Sequence, residues 1–137
     1  MAAKVAILMG SPNDAEKMAS AAVTLERYGI EADVRVMSAH RSPAQVAEFA
    51  SSARADGYAA IICGAGMAAH LAGAVAAQTT LPVIGVPLSG GAINGWDALL
   101  ATVPHFLLAA LFALNLWSHY FLVSLLLIGI ALVTWKN

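Results

Sequence analysis

Apolar and polar positions fall into two alternating rhythms over the first hundred residues. Residues 5–9, 32–37, 58–63 and 83–86 form short apolar or alternating runs rich in Val and Ile, the length and composition of strands. Between them apolar residues recur at helical spacing. Met18, Ala22, Leu25 and Tyr28 mark a first helix, capped by Asn13 or Asp14, and Val46, Phe49 and Ala53 mark a second over about 43–54. An Ala-rich third helix is predicted over about 67–77, and a fourth over 96–103 after a long turn at 87–95. Ser42, Pro43 and Gln45 read as an N-cap, a first-turn proline and a capping-box partner for the second helix.

Short buried strands alternating with helices require right-handed crossovers and a parallel sheet covered on both faces. The expected fold is therefore α/β, a three-layer doubly wound parallel sheet of flavodoxin-like or Rossmann-like type, occupying residues 1–103. That fold gathers the loops Gly10 to Asp14, Ser38 to Pro43 and Gly64 to His70 at the carboxyl end of the strands, where such sheets bind ligands.

Beyond Val103 and Pro104 the pattern changes in kind. From Phe106 to Trp135 only Asn115, Ser118, His119, Ser124 and Thr134 interrupt an apolar run, longer than the roughly 20 residues that span a bilayer. Residues 104–137 are expected to form an apolar helical tail and are a candidate transmembrane segment. A helical hairpin broken around 115–119, a replacement core or oligomer helix, and a chimeric or frameshifted reading frame are the alternatives.

A length of 137 residues suits one domain of ordinary size, and a net charge of −1 gives no reason to expect a nucleic-acid partner. The single cysteine, Cys63, excludes an internal disulfide framework and points to a reducing compartment. The N-terminal apolar run after Lys4 is too short for a signal peptide.

The chemistry concentrates in the three loops. Gly10 permits a tight turn, Ser11 and the helix-start amides suit an anion or hydroxyl, and Asp14 suits a ribose hydroxyl; ordinary helix capping is the bland reading of the same residues. In Ser38-Ala39-His40-Arg41-Ser42-Pro43, Arg41 offers a permanent cationic fork for phosphate and His40 a proton exchanger near neutral pH. Gly64-Ala65-Gly66 allows close backbone approach to a ligand, or close helix–strand packing, and lacks both dinucleotide and P-loop spacing. His70 is placed on the first turn of the third helix, at the same sheet edge as His40, and two histidines without a Cys or carboxylate at ligand spacing make no metal site.

Taken together, these stretches resemble the N5-carboxyaminoimidazole ribonucleotide mutase (PurE) family of purine biosynthesis, within the AIR carboxylase superfamily. The resemblance rests on Met9 to Asp14, Val36 to Pro43, Gly64 to Gly73, Leu81 to Pro87 and Asn94 to Leu100, and covers residues 1–103. It implies conversion of N5-CAIR to 4-carboxyaminoimidazole ribonucleotide by carboxylate transfer, in a cytoplasmic homo-octamer that uses no metal or organic cofactor. It also implies roles: His40 as general acid/base, with Ser11, Asp14, Ser38, Ala39, Arg41, Gly64, Ala65, Gly66, His70 and Leu71 around the ribonucleotide. The chain departs from the family pattern at Asn13, where Ser is frequent, and after Val103, where the family's last strand and helix do not follow. Two other readings stand beside the mutase: an inactive or membrane-anchored nucleotide-binding remnant, and a carboxylase using free carbon dioxide, against which Arg41 after Ser-Ala-His argues.

Overall fold

The computed structural model describes residues 3–103. Four parallel strands, β1 (Lys4–Met9), β2 (Glu31–Val36), β3 (Tyr58–Gly66) and β4 (Val83–Leu88), form one sheet in the order β2-β1-β3-β4. Helix α1 (Ala15–Arg27) joins β1 to β2, α2 (Pro43–Ser52) joins β2 to β3, and α3 (Leu71–Ala76) joins β3 to β4. Residues 96–103 are helical and are termed α4. The chain leaves β1 toward one edge and returns past it to β3, so β1 and β3 flank the switch point of a doubly wound sheet. The expected tail at 104–137 lies outside the described residues, among which no helix is long and apolar enough to cross a membrane.

The period-2 alternation of strand residues assigns each face its own helices. Ala6, Leu8, Ile61 and Cys63 turn to the α2 and α3 side, where they meet Val46, Phe49, Ala50, Leu71 and Val75. Ile7 and Met9 turn to the other side, against Met18 with Ala22 and Leu25 of α1. Ile7, Leu8 and Ile61 are fully buried, and each side chain of this size contributes about 1.5–3 kcal/mol by leaving water. The α1 layer covers only the middle of its face. Val34 and Val36 on edge strand β2, and Ile84 on β4, remain about half exposed.

Edge strand β2 is tied down by polar contacts at the α2 side. Arg35 donates to Asp33 from Nε and Nη2 at 3.0 and 2.9 Å, Tyr58 donates its hydroxyl to the same carboxylate, and the Arg35 guanidinium lies over the Phe49 ring. Hydrogen bonds from Arg35, then from Tyr58, hold the Asp33 carboxyl below its usual range against the opposing cost of partial burial.

Element boundaries differ from those expected by two residues or fewer at β2, α2 and β4, which runs on to Leu88, and with more consequence at three places. Strand β3 does not stop at Cys63 but runs through Gly66, because Gly64, Ala65 and Gly66 pair with Val86, Pro87 and Leu88 and satisfy their backbone groups in the sheet. Helix α3 starts at Leu71 rather than Met67, since Met67 takes a left-handed φ of 55° that no helix accommodates. His70 is consequently the N-cap residue, not a first-turn residue. The first cap is also displaced: Ser11 accepts the Asn13 N–H at 3.3 Å to start a 3-10 turn at Pro12–Asp14, and Asp14 makes no side-chain cap bond to α1.

Cys63 is 1% exposed, and burial pushes its thiol pKa up to about 12. The thiolate that reacts with disulfide reagents is thus scarce in the folded protein. Ellman's reagent at pH 8 is expected to leave Cys63 unmodified for as long as the chain stays folded, and to react within minutes in 6 M guanidinium. Rapid modification of the folded protein would contradict this packing.

Candidate active site

Each strand of a parallel sheet delivers its following loop to the same edge, and here four such loops line an open cavity of about 480 Å³. That size lies within the range of small-molecule sites. Residues 10–14 come from β1, 38–41 from β2, 65–71 from β3, and Ser89 and Gly90 from β4. The loops are joined by backbone bonds that continue the ladder: Gly10 donates its N–H to the Gly64 carbonyl at 3.1 Å, and Met37 donates to Met9 at 2.8 Å.

The His40 loop is braced from within. Ser42 holds the N-cap position of α2 but makes no cap bond to it; its hydroxyl donates to the Ser38 carbonyl at 3.1 Å and accepts the Ser38 N–H at 3.2 Å. The capping box expected of Ser42 and Gln45 is therefore replaced by a clasp across the loop. Ser38 completes it by accepting the Arg41 N–H on Oγ at 3.3 Å, and the Ser42 N–H bonds to the Ser38 carbonyl at 2.8 Å. Five residues are fixed in one conformation, with His40 and Arg41 at the exposed tip.

His40 Nε2 lies 2.9 Å from His70 Nδ1, with the rings nearly perpendicular at 86°. Such a bond needs one nitrogen to donate and the other to accept. It fixes the tautomers of the two rings relative to each other and leaves His40 Nδ1 as the ring atom outside the pair. Arg41 reaches back to β1, where Nη2 donates to the Gly10 carbonyl at 2.6 Å.

Of the residues singled out in the sequence, Ser11, Asp14, Ser38, Ala39, His40, Arg41, Ala65, Gly66, His70 and Leu71 line the cavity. Gly64 does not. It sits two residues before the end of β3, between Met9 and Val86, with its Cα against Met18. Gly10, Asn13, Met67 and Ala68, from the loops expected at this edge, also line the cavity, whereas Lys17, Ser89 and Gly90 were not anticipated. Ser89 and Gly90 follow β4, so the strand-end rule applied to a fourth loop would have found them. Lys17 gives no such signal, because a lysine on an amphipathic helix ordinarily reads as a solvated face. Its Nζ donates to the Ser89 carbonyl, tying α1 to a tight loop in which Gly95, at φ 92°, packs so closely on Ser89 that a Cβ would stand 3.0 Å from the Ser89 Cα. Among the described residues no group of three His, Cys, Asp or Glu side chains could hold a metal ion.

Residues 4–107 match the family model described as AIR carboxylase. The chain is 52% identical over 103 residues to an N5-carboxyaminoimidazole ribonucleotide mutase of Brucella melitensis, covering 75% of this chain and 64% of that protein. It is 43% identical over 126 residues to a chloroplastic phosphoribosylaminoimidazole carboxylase of Vigna aconitifolia, covering 90% of this chain and 23% of that one. The crystal structure of Treponema denticola PurE superposes with a TM-score of 0.66 at 27% identity, over 85% of this chain and 81% of that one. The chain thus spans less than two thirds of the length of the first mutases it matches.

Proposed function

Because the chain belongs to the AIR carboxylase family, we propose that its cavity catalyses the N5-carboxyaminoimidazole ribonucleotide mutase reaction. The observation that carries this reading is the juxtaposition of a braced His40, paired with His70, and Arg41 in one cavity of about 480 Å³. The reaction needs an anchored phosphate, a site that retains carbon dioxide, and one group that both gives and takes a proton.

Arg41 binds the phosphate as a cationic fork, Asp14 and Ser11 hold the ribose, and the backbone from Ala65 to Leu71 closes over the aminoimidazole. As the carboxylate leaves the exocyclic nitrogen as carbon dioxide, the N–C bond breaks and His40 supplies the proton that the nitrogen takes up. The ring carbon then attacks the retained carbon dioxide. His40 recovers a proton from that carbon once the new C–C bond has formed, so proton and carboxylate counts balance within one turnover. His70 orients the imidazole between the two transfers.

Purified protein is expected to interconvert the N-carboxylated and C-carboxylated ribonucleotides without ATP and without dependence on added bicarbonate. A rate that rises in proportion to bicarbonate, with aminoimidazole ribonucleotide as substrate, would assign the chain to the carboxylase reaction instead. A folded protein that binds the nucleotide and turns nothing over would make it a remnant. Assembly as a homo-octamer is part of the same proposal; the half-exposed Val34, Val36 and Ile84 on the partly covered sheet face give apolar surface for it. Partition of the full chain between soluble and membrane fractions separates a cytoplasmic enzyme from one anchored through 106–135.

A further inference from the structure

Two side-chain cations line the cavity, and the family pattern accounts for only one of them. Arg41 is the expected anion anchor; Lys17, from the first turn of α1, is not part of any motif. Both are held in the same way. Lys17 donates to the backbone carbonyl of Ser89, and Arg41 donates to the backbone carbonyl of Gly10. The ion pairs among the described residues are Lys4 with Glu31 and Arg35 with Asp33, so neither cavity cation is neutralised by a carboxylate. A carbonyl dipole positions a cation without cancelling its charge, and an ammonium has three N–H donors and a guanidinium five.

The charge count of the cavity wall points the same way. Asp14 is the one carboxylate among the lining residues, against Lys17 and Arg41, with His40 and His70 as titratable neighbours. A phosphate monoester carries about −1.5 to −2 charges at neutral pH. Arg41 alone leaves that group under-compensated, particularly with Asp14 in the same wall. Arg41 is bonded to Gly10 after β1 and Lys17 to Ser89 after β4, so the two cations enter the cavity from different loops and line the same wall as Asp14.

We propose that Lys17 is a second anchor for the substrate phosphate, forming with Arg41 a two-cation clamp that closes on it from the Ser89 and Gly10 sides of the cavity. This rests on the ribonucleotide reading for the identity of the phosphate's carrier, but the clamp itself can be read with inorganic phosphate. Lys17 is exposed, and Met keeps its unbranched stem and helix propensity, so Lys17→Met should fold unchanged. Calorimetric titration of the full chain is expected to show aminoimidazole ribonucleotide binding about 10- to 100-fold more weakly to Lys17→Met, the loss typical of one charge-assisted hydrogen bond. Affinity for the dephosphorylated nucleoside should be unchanged, KM should rise with kcat within about threefold of wild type, and Lys17→Arg should retain most of the affinity. Inorganic phosphate should compete with the ribonucleotide in the wild type and about tenfold less well in Lys17→Met. Equal losses for nucleotide and nucleoside would make Lys17 only a strap for the Ser89 loop and overturn the clamp; so would an unchanged nucleotide affinity. If the wild type binds inorganic phosphate through Lys17 but neither ribonucleotide, the clamp stands and the mutase reading falls.

Discussion

His40→Asn is expected to lower kcat by at least about 10³-fold while leaving ribonucleotide affinity within a few-fold of wild type. A positioned acid/base group contributes about 10²–10⁴-fold, and this reaction uses the same group twice, once to give a proton and once to take one. Asn is close to His in reach and keeps a polar group beside His70, but its amide neither gains nor loses a proton in the accessible pH range. The Ser38–Ser42 clasp does not involve the His40 side chain, so Arg41 should keep its place and the phosphate its anchor. His70→Asn should behave differently. It removes the ring whose tautomer is coupled to that of His40 across 2.9 Å, and is expected to cost less in rate and to change the shape of the pH–rate profile. A single-turnover assay beside an equilibrium titration separates these effects. A normal rate in His40→Asn, or a loss of binding equal to the loss of rate, would remove His40 from the chemistry.

The layered α/β architecture was legible because period-2 and period-3.6 apolar patterns are local, and each strand needed cover on two faces. The strand order β2-β1-β3-β4 was not, since no local pattern says toward which edge a crossover turns. Errors at the site have a common origin. Glycine and serine carry little information about which partner satisfies them: Gly64 to Gly66, read as a loop for a ligand or for helix–strand packing, pairs in the sheet while Ala65 and Gly66 still line the cavity, and Ser42 looked like a cap and is a clasp. Ser11 took the capping role expected of its neighbours and left Asp14 without a cap bond. Lys17 was missed because its meaning comes from Ser89, 72 residues away in sequence. Charged and titratable residues in the strand-end loops were read more reliably, since the fold class alone brings those loops together.

Gly64→Ala is expected to destabilise the fold by about 1–3 kcal/mol, the usual cost of overpacking a core position. An added Cβ would stand 2.5 Å from Met18 Sδ and 2.9 Å from its Cγ. The backbone cannot retreat, because Gly64 is paired with Met9 on one side and Val86 on the other. Met18, itself 3% exposed against Ile7 and Met9, must move instead, and its three flexible torsions set how far the cost falls. Met18→Ala alone should cost about 2–5 kcal/mol through the cavity it opens. The pair should not be additive: in Gly64→Ala/Met18→Ala the new methyl enters the space the thioether vacates, so the double variant should recover at least about 1 kcal/mol of the summed loss. Against a typical total stability of about 5–15 kcal/mol, urea unfolding resolves all three values. The site feels the same change, since the Gly64 carbonyl holds the Gly10 N–H and Gly10 holds Arg41. Ribonucleotide affinity is therefore expected to fall in Gly64→Ala and to recover with stability in the double variant. Affinity lost without any loss of stability would restore Gly64 to the role its sequence suggested, a glycine shaped for the ligand rather than for Met18.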